Sequence, residues 1–400
     1  MSAFAAVVTD KGTGAIATIQ LLGESAEAVL KKIFKPTGSN LATFKAGKIL
    51  LGTINEGNQT IDQVVIGCEA DNCFAINCHG NPLIVEIIMQ LLQRCGAEFV
   101  AAEQLLAMTL QAQGPVNTIA LEAKLALPKT KTLAGAKIVA SQIEAGLGRK
   151  ASEWLRDIKR NKKLKTKNSK LLCKAQAGQI LNNSVPARLI IAGCKAAIIG
   201  PPNTGKSTLL NCLSGRQKAI VTDIKGTTRD WVSAQCQIPP LALELIDTAG
   251  LDDRLAAASK DAIAKAAQKK SLQILEQADL VLLVLDNSQP AGQLDKRLIK
   301  KIAKKRVLTI LNKSDLPCAL DITELPQTLA NTVQMSAKLG TGLEKLAEKI
   351  RQTCGVNNFD LRQPVCFSSR QENLLKKLNK VRSKSDAFSI VTELLDGPID

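Results

Sequence analysis

Residues 195–207 have the sequence KAAIIGPPNTGKS, in which a short aliphatic run leads into a loop that begins and ends with glycine. The loop fits the pattern G-x-x-x-x-G-K-[ST] directly after a candidate strand, the setting of a phosphate-binding P-loop. Backbone N–H groups of such a loop cradle phosphates, while Lys206 reaches the outer phosphates and Ser207 binds Mg²⁺. The sequence therefore predicts nucleotide contacts at Asn203, Thr204, Gly205, Lys206, Ser207 and Thr208.

Around this loop, short aliphatic runs alternate with helical stretches. The strand candidates are KAAIIG, LALELID, ADLVLLVLD, RVLTILN and NTVQMS. This rhythm predicts a doubly wound, mostly parallel sheet with helices on both faces, over residues 195–354. Asp247, Thr248, Ala249 and Gly250 end the second of these runs. We expect them to bring a carboxylate near the metal and a glycine amide near the γ-phosphate.

Two later motifs identify the base as guanine. Asn312, Lys313 and Asp315 belong to NKSD, which follows the strand candidate RVLTIL. The Asp315 carboxylate can accept hydrogen bonds from N1–H and the exocyclic amine of guanine. Adenine does not present that pattern, and an unpaired buried acceptor costs binding energy. The segment formed by Ser336, Ala337 and Lys338 would contact the base oxygen through its backbone. GTP and GDP are the predicted ligands.

The flanks of this region have a different texture. Residues 1–115 combine strand and helix patterns and predict an α+β domain. Residues 116–194 are helical, with turn signals at Pro128 and Pro186, and the helical texture returns over 355–400. The expected fold is therefore a multi-domain α/β and α chain. In it, two helical segments pack together and a P-loop GTPase domain is inserted between them.

Composition narrows the class of protein. Net charge is +17, from 53 Lys and Arg against 36 Asp and Glu, which favours a nucleic-acid partner, although a basic proteome background would give the same excess. His79 is the single histidine, so a multi-histidine metal site or a Ser-His-Asp enzyme is not expected. We expect His79 to have a structural role at the start of a helix rather than a catalytic one.

Cysteine usage and hydropathy predict a compartment. The eleven cysteines are an odd number without a C-x-x-C pair, so we expect small buried hydrophobic residues in a reducing cytosol. The first residues lack a basic segment followed by a long apolar one, and the longest apolar stretch, 280–285, is too short to span a bilayer. We predict a cytoplasmic protein that does not interact with membranes.

A basic tract covers residues 149–170. It contains ten Lys and Arg against Glu153 and Asp157, a net charge of +8. A solvated helix face is the simpler interpretation. However, acidic residues at i,i+4 spacing are nearly absent, unlike in a salt-bridged helix. The functional interpretation is a surface that contacts the phosphates of tRNA.

The segment TDIKGTTRD at residues 222–230, together with GPPNTGKS, resembles the TrmE–Era–Der group of GTPases, and most of all the MnmE (TrmE) family. The resemblance implies that Thr228 joins Ser207 as a Mg²⁺ ligand. It also implies a potassium ion near the phosphates, held by Asn203, Thr222, Ile224 and Thr227. Such a cation can neutralise charge as an arginine finger does elsewhere, an effect worth about 10³–10⁵ in rate.

The chain departs from the family pattern at the catalytic position. MnmE proteins carry a glutamate twelve residues beyond the aspartate of DTAG, and Ser259 occupies that place here. Leu251 stands where Ras-like proteins have a water-orienting glutamine. Asp252, Asp253 or Asp261 could substitute, so the catalytic residue is left open. Hydrolysis is expected to be weak or to depend on a partner.

The flanks resemble the same family more loosely. GTGAIATIQLLG and NCHGNPLIVEIIMQLL resemble its N-terminal domain, which implies homodimerisation and formyl-tetrahydrofolate binding. Of the implied folate positions, Lys124 matches, Asp71 replaces a glutamate, and Gln20 replaces an arginine suited to the folate carboxylates. The family's C-[IL]-G-K tail has no counterpart before the final ELLDGPID. Either a partner enzyme supplies the chemistry or part of it is lost.

By this resemblance the chain acts in modification of the wobble uridine of tRNA (position 34), with an MnmG-like FAD-dependent partner. Its nucleotide state would drive a conformational switch. One alternative is an Era/Der-like regulatory or ribosome-assembly GTPase without modification chemistry, although no KH-like G-x-x-G module or second GTPase domain is present. Another is an interaction protein that binds nucleotide with little turnover.

Overall fold

The structure, a computed structural model, describes residues 2–9, 14–38, 44–112, 117–160, 168–215, 233–247, 273–293 and 296–398. Contacts within the chain divide it into two units, Met1–Asn117 and Thr118–Asp400. Each unit has a sheet and a buried core of its own.

Among its described residues, the first unit contains seven strands: β1 (Ala3–Val7), β2 (Ile16–Leu22), β3 (Phe34–Pro36), β4 (Ile49–Glu56), β5 (Gln59–Ala70), β6 (Cys73–His79) and β7 (Ala97–Phe99). They form one sheet in the order β3-β4-β5-β6-β2-β1-β7. Neighbouring strands are antiparallel, except that β1 and β7 run parallel. The α+β texture of this part of the sequence thus corresponds to a mixed sheet.

The helices of the first unit are α1 (Ala26–Ile33), α2 (Pro82–Arg94) and α3 (Ala102–Ala112). Side chains of β2 alternate in burial, because successive residues of a strand point to opposite faces. Ile19 and Leu21 of β2 share a core with Leu30 of α1 and Leu92 of α2. One face of the sheet is therefore covered by helices.

The second unit has a six-stranded sheet, formed by β8 (Cys194–Ile199), β9 (Ser233–Ile238), β10 (Leu241–Asp247), β11 (Leu280–Asp286), β12 (Val307–Asn312) and β13 (Thr332–Gln334). Its order is β13-β12-β11-β8-β10-β9. All pairs are parallel except the hairpin of β9 and β10. Every residue of β11 and β12 is buried, because both faces of a parallel sheet are covered.

The helices of the second unit are α4 (Thr118–Ala126), α5 (Leu133–Glu144), α6 (Leu147–Arg160), α7 (Asn168–Ala192), α8 (Lys206–Gly215), α9 (Lys296–Ile302), α10 (Leu343–Cys354), α11 (Ser369–Asn379) and α12 (Lys384–Asp396). Helices from before and after the sheet share a core. Trp154 of α6, Ile180 of α7, Leu375 of α11 and Val391 of α12 belong to it. The chain thus leaves the helical bundle, forms the sheet and returns to the same bundle.

The strand candidates of the sequence are present as β8, β10, β11, β12 and β13. The antiparallel edge strand β9 was not predicted. Treating Pro186 as a turn signal was wrong, since it lies inside α7. A proline inside a helix costs about 3 kcal/mol, and burial of Ile180, Ala187 and Ile190 on the same helix offsets that cost. The domain boundaries given above remain predictions.

Candidate functional site

The P-loop of residues 200–207 connects β8 to α8 through an unusual backbone. Gly200 has φ +149°, and a Cβ at this position would collide with the carbonyl oxygen of Val284 in β11. Gly205 has φ +94°, and a Cβ there would collide with the side-chain amide of Asn312. Asn203 adopts φ +61°, a region that asparagine tolerates. The two glycines are therefore required for the loop to pass this close to the neighbouring strands.

The side chains of the P-loop fold onto its own backbone. Lys206 Nζ donates to the carbonyl oxygen of Pro201 at 2.8 Å, and Thr204 Oγ1 donates to the same oxygen at 3.0 Å. Ser207 and Thr208 lie exposed in the first turn of α8. The N-terminus of an α-helix presents backbone N–H groups and the positive end of its dipole, which is the general basis for phosphate binding there.

Asn312 ties three predicted nucleotide motifs together at the end of β12. Its Nδ2 donates to the carbonyl oxygen of Thr204 in the P-loop at 2.8 Å. Its Oδ1 accepts from the backbone N–H of Ala337 at 2.9 Å. The side chain is buried, so both bonds are shielded from competing water. One amide therefore sets the spacing between the phosphate loop and the segment predicted to contact the base.

Asp315 lies exposed beyond β12, next to Ser336. A hydrogen bond from the Ser336 side chain lowers the pKa of the Asp315 carboxyl, and the charges of Lys338 and Lys313 act in the same direction. The carboxylate is therefore kept ionised. An exposed carboxylate can accept further hydrogen bonds, as recognition of a guanine edge needs.

Lys313 adopts φ +62° and directs its ammonium group to Asp286, the last residue of β11. Lys313 Nζ lies 2.7 Å from Asp286 Oδ2, and the backbone N–H of Ser288 donates to Asp286 Oδ1 at 2.9 Å. Burial raises the pKa of Asp286, but the hydrogen bonds from Lys313 and Ser288 outweigh it and lower the pKa overall. Sequence reasoning missed Asp286. Its signal was a carboxylate at the end of a parallel strand, the same signal that selected Asp247.

A cavity of about 630 Å³ opens between the P-loop and the segment after β11. Its lining includes Asn203, Thr204, Asp286, Gln293 and Lys313. This volume lies in the range of small-molecule sites. The cavity places the P-loop and Lys313 at one opening, at the carboxyl ends of parallel strands, where α/β sheets bind ligands.

Several predicted site residues lie outside the described part of the chain. Asp247 ends β10 beside Ile198 of β8, and only its backbone is described. The remainder are the rest of DTAG, the implied cation ligands and the catalytic alternatives: Thr248, Ala249, Gly250, Thr222, Ile224, Thr227, Thr228, Asp252, Asp253 and Asp261. Their roles stay predictions.

The implied folate positions fall on both units. In the first unit, Gln20 Nε2 on β2 donates to Glu69 Oε2 at 2.8 Å and lies 3.6 Å from Cys73 Sγ. Asp71 is exposed in the turn between β5 and β6. Lys124 is half-buried in α4 of the second unit. Glu69, which sequence reasoning passed over, is the carboxylate that contacts Gln20.

His79 ends β6, three residues before α2 begins. Asp62 accepts from the backbone N–H of His79 at 2.8 Å and lies 2.6 Å from its Nδ1. The Asp62 side chain is buried and that of His79 is 66% exposed. The carboxylate thus fixes the ring while its other nitrogen faces solvent.

The start of the basic tract is more salt-bridged than its sequence suggested. Lys150 Nζ lies 3.2 Å and Arg149 Nε 3.7 Å from carboxylate oxygens of Glu153. Trp154 and Ile158 on the opposite face of α6 are buried. Within the described ranges, no cluster of three or more metal-ligating side chains is found, and no helix is long and apolar enough to cross a membrane.

Two family profiles match the chain. One, described as the GTP-binding protein TrmE N-terminus, matches residues 3–104. The other, described as 50S ribosome-binding GTPase, matches residues 195–313. The first lies within the first unit and the second includes the P-loop region of the second unit.

Similar proteins extend over most of the chain. It is 31% identical to the tRNA modification GTPase MnmE of Lacticaseibacillus paracasei, over 94% of this chain and 86% of that protein. The MnmE proteins of Streptococcus thermophilus and Thermotoga petrophila are also 31% identical, over 87% and 88% of this chain and 79% and 82% of theirs. A solved structure, the G domain of the T. maritima FeoB iron transporter, is 30% identical over 40% of this chain and 98% of that one, with a TM-score of 0.32.

Proposed function

The chain belongs to the MnmE family of tRNA modification GTPases, and from this premise we propose that it couples GTP binding and hydrolysis to modification of the wobble uridine of tRNA. The observation that supports this most is the Asn312 side chain, which joins Thr204 of the P-loop to Ala337. A nucleotide that contacts both the P-loop and the segment around Ala337 would therefore bind to a single rigid pocket. Its triphosphate and its base are then recognised together.

We assign the nucleotide contacts to the four motifs. The P-loop holds the phosphates, Asp247 and the rest of DTAG face the γ-phosphate, and Asp315 with the segment 336–338 recognises guanine. The crowding of Gly200 and Gly205 against neighbouring strands supports this, because the absence of a Cβ at these two positions allows the tight loop conformation in which backbone N–H groups can approach phosphate oxygens.

Ser207 and Thr228 would hold Mg²⁺, which neutralises phosphate charge when bound. Asn203, Thr222, Ile224 and Thr227 would hold K⁺ near the same phosphates. The left-handed backbone of Asn203 at the rim of the P-loop is compatible with this role. GTP turnover should be faster in KCl than in NaCl at equal ionic strength, and the Asn203→Ala variant should lose that difference. Equal rates of the unaltered protein in both salts would refute the potassium site.

Ser259 stands where the family has its catalytic glutamate, so another residue would have to position the attacking water. Asp252, Asp253 and Asp261 are the candidates. If one of them acts, its alanine variant should lower kcat with little change in GTP affinity, while the other two variants turn over normally. If all three alanine variants hydrolyse GTP at the normal rate, none of these aspartates is catalytic. GTP hydrolysis then either depends on a partner or is intrinsically weak.

Wobble-uridine chemistry is tested by deleting the gene and measuring tRNA wobble nucleosides by mass spectrometry. We expect the uridine to lose its 5-substituent. Complementation with the unaltered gene should restore it, and complementation with the Asp315→Asn variant at equal expression should not. Intact modification together with altered ribosome profiles would instead support the Era/Der-like alternative.

Family membership also supports a cytoplasmic homodimer that works with an MnmG-like FAD-dependent partner. A formyl-tetrahydrofolate site would use Gln20, Asp71 and Lys124. The Gln20–Glu69 contact supports a polar site in the first unit, since an amide and a carboxylate match donors and acceptors of a pterin ring. Gln20→Ala should weaken folate binding in calorimetry, whereas Gln63→Ala, on β5, which is separated from β2 by β6, should not.

The basic tract would contact tRNA. Lys162, Lys163 and Lys165 lie outside the described residues, so their assignment rests on sequence. Neutralising all three should weaken tRNA binding and reduce its salt dependence. Unchanged binding at moderate salt would contradict this part of the proposal.

A further inference from the structure

We propose that one end of the helical bundle in the second unit is a composite phosphate-binding surface for the backbone of folded RNA. It combines residues at the end of α6 with residues 377–384, which lie more than two hundred positions later in the chain. We name it the basic end, and its members are Arg156, Lys159, Arg160, Lys174, Lys377, Lys380, Arg382 and Lys384. The proposal rests on the proposed action on tRNA and specifies where the RNA docks.

The packing of four helices brings these residues to one place. Trp154 Nε1 of α6 donates to Gln176 Oε1 of α7 at 2.7 Å. Further along α6, Lys159 Nζ lies 6.0 Å from the ring centre of Phe388 in α12. In α7, Gly178 faces the side chain of Asn379, the last residue of α11. The C-terminal ends of α6 and α11 therefore meet the N-terminal parts of α7 and α12.

Buried contacts fix this arrangement. Ile158 of α6, Cys173 of α7, Leu378 of α11 and Ala387 of α12 belong to one core. Val381, between α11 and α12, is buried in the same core. Because Val381 holds the segment between α11 and α12 against this core, the lysine and arginine side chains of that segment stay at the surface.

Charge at the basic end is strongly unbalanced. Seven of its eight basic side chains are exposed, and Lys384 is half-buried. The acidic residues on the same stretches, 156–160 and 377–386, are Asp157 and Asp386. These two stretches therefore carry seven positive charges against two negative ones. Lys376, one residue before Lys377, is paired with Glu372 at 2.6 Å and is not counted in the basic end. The fold thus gathers a net positive charge at this end of the bundle.

The chemistry fits RNA phosphates better than a membrane surface. An interfacial membrane helix needs a row of exposed large apolar side chains beside its cations. In the described portions of α6, α7, α11 and α12 that form the basic end, no large hydrophobic residue is exposed. Cations carried on several rigid helix ends match the regularly spaced phosphates of a folded RNA.

The test is the affinity of fluorescein-labelled tRNA as a function of salt, measured by anisotropy with the full chain. The variant Arg160→Gln/Lys377→Gln/Lys380→Gln removes three charges from two separate segments. We expect the slope of log affinity against log salt to become shallower by about one for each lost contact, and affinity at low salt to fall at least about tenfold. Arg160→Gln alone should reduce the salt slope by about one, and Lys377→Gln/Lys380→Gln should reduce it by about two.

The matched control removes three charges from the GTPase region: Lys300→Gln/Lys301→Gln/Lys304→Gln, all exposed in or just after α9. It should leave the salt slope unchanged, and both triple variants should keep normal GTP turnover. If the two triple variants weaken tRNA binding equally, the effect comes from overall charge, and the proposal of a specific RNA surface at the basic end is wrong. Loss of binding to phosphatidylglycerol vesicles with unchanged tRNA binding would also overturn it. If the unaltered protein turns over GTP but binds no tRNA, the proposed function itself fails.

Discussion

The nucleotide pocket and the helical bundle lie in the same unit, and their polar contacts arise in different ways. In the pocket, the residues that meet belong to short motifs at the ends of parallel strands, as with Asn312 and Thr204. In the bundle, Glu122 of α4 meets Arg370 of α11 across 248 positions, and neither belongs to a motif. In a parallel sheet the carboxyl ends of the strands lie at one edge, so motifs at strand ends come together wherever they occur in the sequence. In a helical bundle, each contact depends on the side chains of the particular pair of helices that pack together.

The buried pair of the bundle should give the largest effect. Arg370 donates to both carboxylate oxygens of Glu122 at 3.0 Å, and both side chains are almost fully buried. Arg370→Met leaves the Glu122 charge uncompensated, so the free energy of unfolding should fall by about 3–5 kcal/mol. Urea titration followed by circular dichroism measures it.

Two further variants sharpen this result. The double variant Glu122→Leu/Arg370→Met removes both charges and should recover most of the loss, because no buried ion remains. Arg188→Met breaks a more exposed pair with Glu372 and should cost under about 1 kcal/mol. Similar losses at Arg370 and Arg188 would show that burial does not distinguish the two pairs.

In the pocket, Asp315→Asn should weaken GTP binding by about a hundredfold, since hydrogen bonds to a charged acceptor contribute about 1.5–3 kcal/mol. Xanthosine triphosphate should bind the variant better than GTP, because an amide can donate to the oxygen that replaces the guanine amine. Competition against a fluorescent GDP measures both. Asp321→Asn, at an exposed aspartate of the same region, is the control and should bind GTP normally. Retained guanine preference would show that Asp315 does not read the base.

A smaller effect is expected at Asp286, which positions Lys313. Asp286→Asn should weaken nucleotide binding by about tenfold, the loss expected for one charge-assisted hydrogen bond. Ser288→Ala, which removes a hydroxyl donor to the same carboxylate but leaves Lys313 held, should have a lesser effect. Equal effects of the two variants would contradict a specific role for the Lys313 contact.

The same carboxyl predicts a pH dependence. Its pKa is lowered in the folded protein, so its stabilisation is present above the ordinary aspartate pKa of about 3.9 and is lost as pH falls through the lowered value. The unaltered protein should therefore be more stable than Asp286→Asn at neutral pH, and the gap should close in strong acid. A gap that stays constant in urea titrations down to strong acid would contradict this linkage.

A small effect is also expected at a local cap of the bundle. Ser383 accepts from the backbone N–H of Asp386 at 3.0 Å and begins α12. Ser383→Ala should cost about 1 kcal/mol of unfolding free energy, while Ser383→Asp should keep the cap. A loss as large as that of Arg370→Met would mean that local capping rivals the long-range pair.

Prediction from sequence succeeded where a residue type is required by its backbone or its strand position. Gly200 and Gly205 were identifiable because a P-loop needs positions without a Cβ. Asp286 was missed because a single carboxylate at the end of β11 belongs to no recognised motif, and its role becomes visible only when Lys313 is seen to contact it. Pro186 was misjudged because local preference was weighed without the packing that holds α7.

The sequence by itself determined that the chain contains a P-loop GTPase domain and which motifs belong to it, because the spacing of those motifs along the chain is set by strand ends in a parallel sheet. It also fixed the excess of positive charge. Only the tertiary structure decided that α6 meets α12 and that Glu122 meets Arg370. Those contacts depend on how helix faces pack over long sequence separations, and periodicity reveals that a face is buried but not which partner buries it.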